Sequence, residues 1–336
     1  MVQLICRQKE LDSHYSAFHD GVMKALEALA SAQVVPWKPK RKPILSDVQR
    51  KDPAVMDFFG CLRDEERADG ALLKGDSEKM LRVIASAGPK YARLPEDDQK
   101  ACKKVLEQVL PYEMFQVGRC WRVDDGKIVS CGTAWRGSEY IKRLGVVVCP
   151  YCNASSLPLD VTVPFDHYLQ KEDYPYLRLC LLNLIPVCSH CNWPRKNFPV
   201  HDFMQYAYPY RDVVHDETRF LFEQMPIGDE ESQVHLLLQK RKPSDPDRSR
   251  IWLESLGIRN LYERVHVNDI QWIREQSDLF RETYRDSLAG MLGRPGMEAT
   301  YRRYFKCSFN RGKINKESLS KLTIDLVEAL NPEMIS

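Results

Sequence analysis

Residues 13–31, SHYSAFHDGVMKALEALAS, repeat apolar positions at intervals of three and four behind Ser13, which predicts an amphipathic helix capped by that serine. Three further helical periods follow over 54–66, 77–88 and 96–110, the last begun through Pro95. Between Cys120 and Gly132 the period changes to two. Asp124-Asp125-Gly126 supply a turn there, so a hairpin is predicted in which Cys120 and Cys131 can face each other. Residues 133–145 read as a helix stopped by Gly145. Val161, Val163 and Phe165 alternate like a strand, residues 183–188 form a second short one, and 233–241 a third. Helical periods over 267–292 and 315–330 close the chain. No internal repeat and no low-complexity segment interrupts this order. The pattern predicts a mostly helical α+β protein in three regions: a helical 1–112, a central 113–225 that carries the chemistry, and a mainly helical 226–336.

Composition narrows the class. The chain has 336 residues, 43% hydrophobic and 29% charged, in the range of soluble globular proteins. No apolar run approaches the roughly 18 residues needed to span a bilayer. The first residues, MVQLICRQKELDSHYS, lack the apolar core of a secretory signal, so a cytoplasmic location is expected. Eleven cysteines in a chain this long, an odd number, argue against a disulfide scaffold. Four fall into paired knuckles and the other seven read as small core residues, with Cys120 and Cys131 expected to stay thiols. A net charge of +2 does not announce a nucleic-acid binder. The basic, proline-rich WKPKRKP at 37–43, followed by Arg50 and Lys51, fits either a phosphate-tracking segment or a solvated linker.

The chemistry concentrates in two answering stretches, VCPYCN at 148–153 and VCSHCN at 187–192. Two Cys-x-x-Cys turns each offer two thiolates at the bite of a tetrahedral metal, so Cys149, Cys152, Cys188 and Cys191 form a candidate structural zinc site. The polar residue after each pair lets the turn's amides point at sulfur. A dithiol redox motif would come singly on a thioredoxin-like turn, and none is visible. Knuckles are commonly about 15 to 20 residues apart; here 35 residues separate Cys152 from Cys188, so the loop holds something else. It holds Asp166 and His167, at the end of the predicted strand.

CPYCN, FDHYLQKEDYP and NLIPVCSHCN together resemble the HNH endonuclease family in its zinc-knuckle form. They are more similar to a prokaryotic branch with the pattern DHxLPKxxYP and NLIPxCxxCN, associated with anti-phage defence beside an ATPase, as in Septu-type systems. The tail LSKLTIDLVEAL resembles that branch too; residues 1–112 match no family pattern. The resemblance implies a central ββα-metal core stapled by zinc, with helical flanks, hydrolysing DNA and docking onto an ATPase or sensor protein. It implies that Asn192 lies on a helix facing the Asp-His strand, making Asp166 and Asn192 ligands of a catalytic Mg²⁺ or Mn²⁺. It also implies that Asn183, the middle motif position, fixes the loop that aims His167. Two departures stand out. Gln170 replaces the branch's proline, and the basic residue in register after the last Asn is Arg195, with Lys196 next; either suits a phosphate.

Phosphodiester hydrolysis needs a base for water and a cation for the developing charge, which a neutral imidazole and magnesium supply. His167 is the candidate base. His190, between two cysteines, is given no role, and His201 and His215 stay unassigned. Two other functions fit the same residues: a non-catalytic zinc module for nucleic acid or a partner, and an RNA-directed nuclease.

Overall fold

The computed structural model describes residues 4–37, 45–132, 136–158, 163–195, 205–212, 214–222, 235–243, 247–283, 299, 302–307, 314 and 316–330. Its first part is a helical array: α1 (Gln8–Ala30), α2 (Asp47–Lys51), α3 (Pro53–Asp69), α4 (Ala71–Lys74), α5 (Ser77–Arg93), α6 (Glu96–Val109) and α7 (Tyr112–Gln116). Leu11, Phe18, Val22, Leu26 and Leu29 give α1 one buried face, which packs on α3. The helix starts at Gln8 with Arg7 as an extended cap residue, so Ser13 is interior and caps nothing. Burial decides this: Leu11, upstream of the predicted start, already lies on the buried face. α5 likewise continues to Arg93 through Pro89, past the Gly88 at which the sequence pattern stops. Proline removes one helical bond, but tertiary packing holds the turn beyond it. Tyr91 packs against Phe58 and Tyr176 with ring centroids 5.3 Å and 6.5 Å away, and Lys90 pairs with Asp57.

The predicted hairpin is present as β1 (Cys120–Asp124) and β2 (Lys127–Cys131), paired antiparallel with Cys120 opposite Cys131. Asp125 and Gly126 both take positive φ, 48° and 69°, as a two-residue primed turn requires. Their sulfurs lie 2.7 Å apart and are not joined as a disulfide. α1 crosses β1 at Gly21, where a Cβ would lie 2.2 Å from the Cβ of Trp121, so only glycine permits the approach. The basic stretch 38–43 lies outside the described residues. Of its neighbours, Trp37 bridges to Ile128, and Arg50 pairs with Asp47 within α2.

α8 (Gly137–Leu144) ends on Gly145 at φ 63° and leads into the first knuckle. It begins later than the predicted 133, and 133–135 lie outside the described residues. The remaining strands and longer helices of the described residues are β3 (Phe165–His167), β4 (Leu184–Pro186), α9 (Ser189–Arg195), α10 (Val214–Glu217), β5 (Thr218–Phe222), β6 (Leu236–Lys240), α11 (Arg248–Ser255), α12 (Ile258–Val265), α13 (Val267–Thr283) and α14 (Ser320–Leu330), with two single 3-10 turns, Pro175–Leu177 and Leu181–Asn183, between β3 and β4. Among the described residues the strands form three separate antiparallel pairs, β1-β2, β3-β4 and β5-β6. The protein is therefore α+β and mainly helical. β5 had no sequence signal, because TRFLF is too short to show a period. One apolar cluster of buried residues runs from Leu4 to Val327. No helix among the described residues is long and apolar enough to cross a membrane.

α14 starts at Ser320 and not at 315, because Leu319 has a positive φ of 57° that a helix cannot accept. The helix docks on β5 through a buried charge network. Lys321 and Asp325 are each 1% exposed; Lys321 Nζ donates to Asp325 Oδ2 at 2.8 Å and to the Thr218 carbonyl at 2.7 Å. Arg241 adds ion pairs to Asp325 and Glu328. Removing one partner strands a buried charge. Asp325→Ala is therefore expected to lower the unfolding free energy by about 3–5 kcal/mol in denaturant titration, by leaving Lys321 unpaired. A loss under about 1 kcal/mol would mean the network is dispensable.

Candidate metal centre and the cleft beside it

The first knuckle is a tight turn closed by Asn153 N–H to the Cys149 carbonyl at 2.8 Å and Cys149 N–H to the Ser155 carbonyl at 2.8 Å. Asn153 takes the left-handed conformation, φ 56°, and the next amide, Ala154 N–H, reaches the Cys152 sulfur at 3.4 Å. The second knuckle follows β4 and places Cys191 in the first turn of α9. Cys149, Cys152 and Cys191 are fully buried and Cys188 is 9% exposed. Their four sulfurs all lie within 4.8 Å of one another, with Cys152 and Cys188 3.9 Å apart. A tetrahedral zinc site with bonds of about 2.3 Å has sulfur–sulfur edges of about 3.8 Å, so the cluster fits such a cation.

Burial, then hydrogen bonding among the thiols, pushes Cys149 far above its ordinary range, while neighbouring thiols donating to Cys188 pull it far down. Four thiols this close cannot all ionise on their own charge. A divalent, thiophilic metal such as zinc relieves the conflict by neutralising them together.

The knuckle also carries two residues whose roles reach further. Tyr151, between the cysteines, donates its hydroxyl to Asp166 Oδ2 at 2.7 Å. Asn153 clasps the C-terminal helix: its Nδ2 donates to the Ile314 carbonyl at 2.7 Å and its Oδ1 accepts from Lys321 N–H at 2.9 Å.

β3 and β4 pair with Asp166 opposite Ile185 and His167 opposite Leu184, and α9 packs against β3. Phe165, Asp166, His167, Gln170, Lys171, Glu172, Tyr112 and Asn192 line a cleft of about 550 Å³. No family model, curated protein or solved structure matches this chain. The physical reading of the cleft therefore stands on its own geometry.

His167 Nε2 lies 2.9 Å from the Arg178 carbonyl. A carbonyl only accepts, so Nε2 carries the proton and Nδ1 keeps its lone pair. Burial pushes the imidazole down to about 3, which leaves the ring neutral at pH 7. Tyr112 stands edge-on to the ring at 4.8 Å, and the Lys171 ammonium lies 6.0 Å from the Tyr112 ring centroid. Asn183 does not line the cleft. It is fully buried, and its side chain bonds Leu169 N–H at 2.7 Å, the Leu169 carbonyl at 3.0 Å and the Leu177 carbonyl at 3.1 Å. It therefore ties the segment after His167 to the segment before β4.

Tyrosine hydroxyls from outside hold the same unit. Tyr140, Tyr208 and Tyr210 donate to the carbonyls of Leu181, Leu182 and Leu184 at 3.0, 2.6 and 2.9 Å. A larger groove of about 760 Å³ lies along α3 and α5, but Arg82–Glu65 and Lys90–Asp57 pairs balance its charges, and it holds no imidazole or metal-ligating cluster.

Of the residues the sequence singles out, the structure gathers Asp166, His167 and Asn192 on one cleft and the four cysteines on one centre. The Arg195 side chain, Lys196, His201 and the His215 side chain lie outside the described residues. His190 is exposed. Tyr112, Tyr151, Lys171 and Arg178 went unnoticed in the sequence. Tyr151 and Lys171 sit inside the motifs and were open to suspicion, whereas Tyr112 and Arg178 reach the site only by folding.

The geometry predicts one tightly held divalent metal per chain by elemental analysis. Cys188→Ser is expected to lose it and to unfold, because metal binding and folding are one equilibrium at a four-thiolate site. A soluble, folded Cys188→Ser protein with full metal content would refute the centre.

Proposed function

We propose that the chain is a metal-dependent nuclease of the HNH type that hydrolyses phosphodiester bonds of DNA. The observation that carries this reading is the strand–strand–helix unit β3-β4-α9, which puts a carboxylate, a neutral imidazole with its Nδ1 lone pair available, and an amide on one cleft beside a structural thiolate centre. In this reading the thiolate metal is zinc and has no open position for substrate.

Asp166 and Asn192 offer hard oxygen donors from two elements, a set that suits Mg²⁺ or Mn²⁺. When bound, such a cation would stabilise charge on the phosphorane and the departing oxygen. The chain's own groups do the rest. His167 Nδ1 accepts the proton of the attacking water, while the Arg178 carbonyl keeps Nε2–H in place and stabilises the imidazolium that forms. Tyr151 fixes the Asp166 carboxylate by its hydroxyl. Lys171 supplies a cation on the cleft wall for a substrate phosphate, a task shared with Arg195 or Lys196. Asn183 keeps the loop behind His167 rigid.

The resemblance to defence-associated HNH proteins supports an anti-phage role in the cytoplasm, with an ATPase or sensor as partner. A net charge of only +2 is consistent with a nuclease delivered to DNA by a partner rather than by its own field.

His167→Ala is expected to lose about 10²- to 10⁴-fold in cleavage of plasmid with Mg²⁺ or Mn²⁺, while fold, zinc content and DNA affinity persist. Asp166→Ala should be as inactive, yet partly rescued by excess Mn²⁺, which should not rescue His167→Ala. Asn183→Ala should fall between. Parent-level cutting by His167→Ala would refute His167 as the base, and a parent that cuts neither DNA nor RNA would leave a zinc-stabilised binding module as the better reading.

A further inference from the structure

The N-terminal helices reach the cleft at a second point besides Tyr112. Arg178 lies in the loop between β3 and β4, only 3% exposed at its side chain. Its Nη1 pairs with Glu107 at 3.2 Å, near the end of α6, and its Nη2 with Glu113 at 3.1 Å, in α7. Its Nε is buried with no hydrogen-bond partner among the described residues, so those two carboxylates carry the burden of a desolvated guanidinium. The carbonyl of the same residue accepts from His167 Nε2. A cation that must stay with its carboxylates thus fixes the backbone oxygen that selects the imidazole tautomer.

We infer that Arg178 is a positioning residue: the clamp from Glu107 and Glu113 holds its carbonyl on His167, and through it α6 and α7 control the orientation of the imidazole. Its consequence for catalysis rests on the nuclease reading; the clamp itself does not. The two glutamates are themselves 46% and 69% exposed, so their contribution lies in geometry more than in burial. The contact also gives the helical region a mechanical role, because anything that shifts α6 or α7 would move the base.

The test uses the full zinc-loaded chain in three variants: Arg178→Gln, Arg178→Lys, and the double Glu107→Gln/Glu113→Gln. The direct readout is the protonation pattern of the His167 ring nitrogens by two-bond ¹H–¹⁵N NMR, assigned by comparison with His167→Gln. It needs neither substrate nor a second metal. The parent should show one species protonated at Nε2. Arg178→Gln and the double variant should show mixed tautomers, with Arg178→Lys intermediate. In plasmid cleavage, kcat should fall about 10- to 100-fold in Arg178→Gln, since misplacement by about an ångström costs that much, with KM little changed and partial recovery in Arg178→Lys.

A folded Arg178→Gln protein that keeps the single Nε2–H species overturns the inference, whatever its rate. If Arg178→Gln does not fold, the double glutamine variant, which changes only exposed side chains, decides in the same way. Shifted tautomers in a chain whose parent cuts no nucleic acid would uphold the clamp and refute the nuclease reading.

Discussion

Everything near the cleft depends on four sulfurs being brought within 4.8 Å of one another. That closure ties the turn at 149–152 to the start of α9, and the chain between them has no choice but to fold back as β3 and β4. The knuckle does more than supply two sulfurs to the cluster. Tyr151 faces inward to Asp166, and Asn153 faces outward to cap α14, so a single turn couples the metal centre, a cleft carboxylate and the C-terminal helix. Tyr262, from α12, adds a hydroxyl bond to the Cys152 carbonyl. A change in the cysteine cluster would reach all three at once.

The β3-β4 pair is only three residues per strand, too short to be stable alone. Its rigidity is borrowed. Tyrosines 140, 208 and 210 satisfy three carbonyls along its second half, and Asn183 stitches the two ends of the loop with three hydrogen bonds. Buried polar groups with every partner present specify one arrangement, whereas an apolar contact tolerates several. Asp166 and His167, on such a unit, are held in one fixed geometry.

The helical region is continuous with this unit. One apolar cluster reaches from Leu4 to Val327, and His14 in α1 contacts the Leu179 carbonyl at 3.4 Å. Tyr112 and the partners of Arg178 come from α6 and α7, and Tyr112 packs against His167. The four-cysteine cluster, whose members flank the Asp-His strand in sequence, and the helical array that precedes it both hold that strand.

Much of this was written in the sequence by local rules. The four cysteines declare their site by spacing, the hairpin by Asp125-Gly126, and Gly145 by the end it puts on α8. The Asp166-His167 pair stands out because it lies inside the cysteine loop. Other features depend on long-range packing and carry no local mark. Ser13 has the chemistry of a cap, but Leu11 extends the buried face upstream and the helix begins earlier. Pro89 has the chemistry of a stop, but aromatic contacts to Phe58 and Tyr176 carry α5 beyond it. Arg178 reads as an ordinary surface cation until α6 and α7 bury it, and Asn153 reads as a turn residue until α14 arrives at its side chain. The sequence determined which residues could do chemistry, since donor type and spacing are local properties. Only the tertiary structure decided what holds them, since a hydrogen bond between residues a hundred positions apart exists only once the core between them has closed.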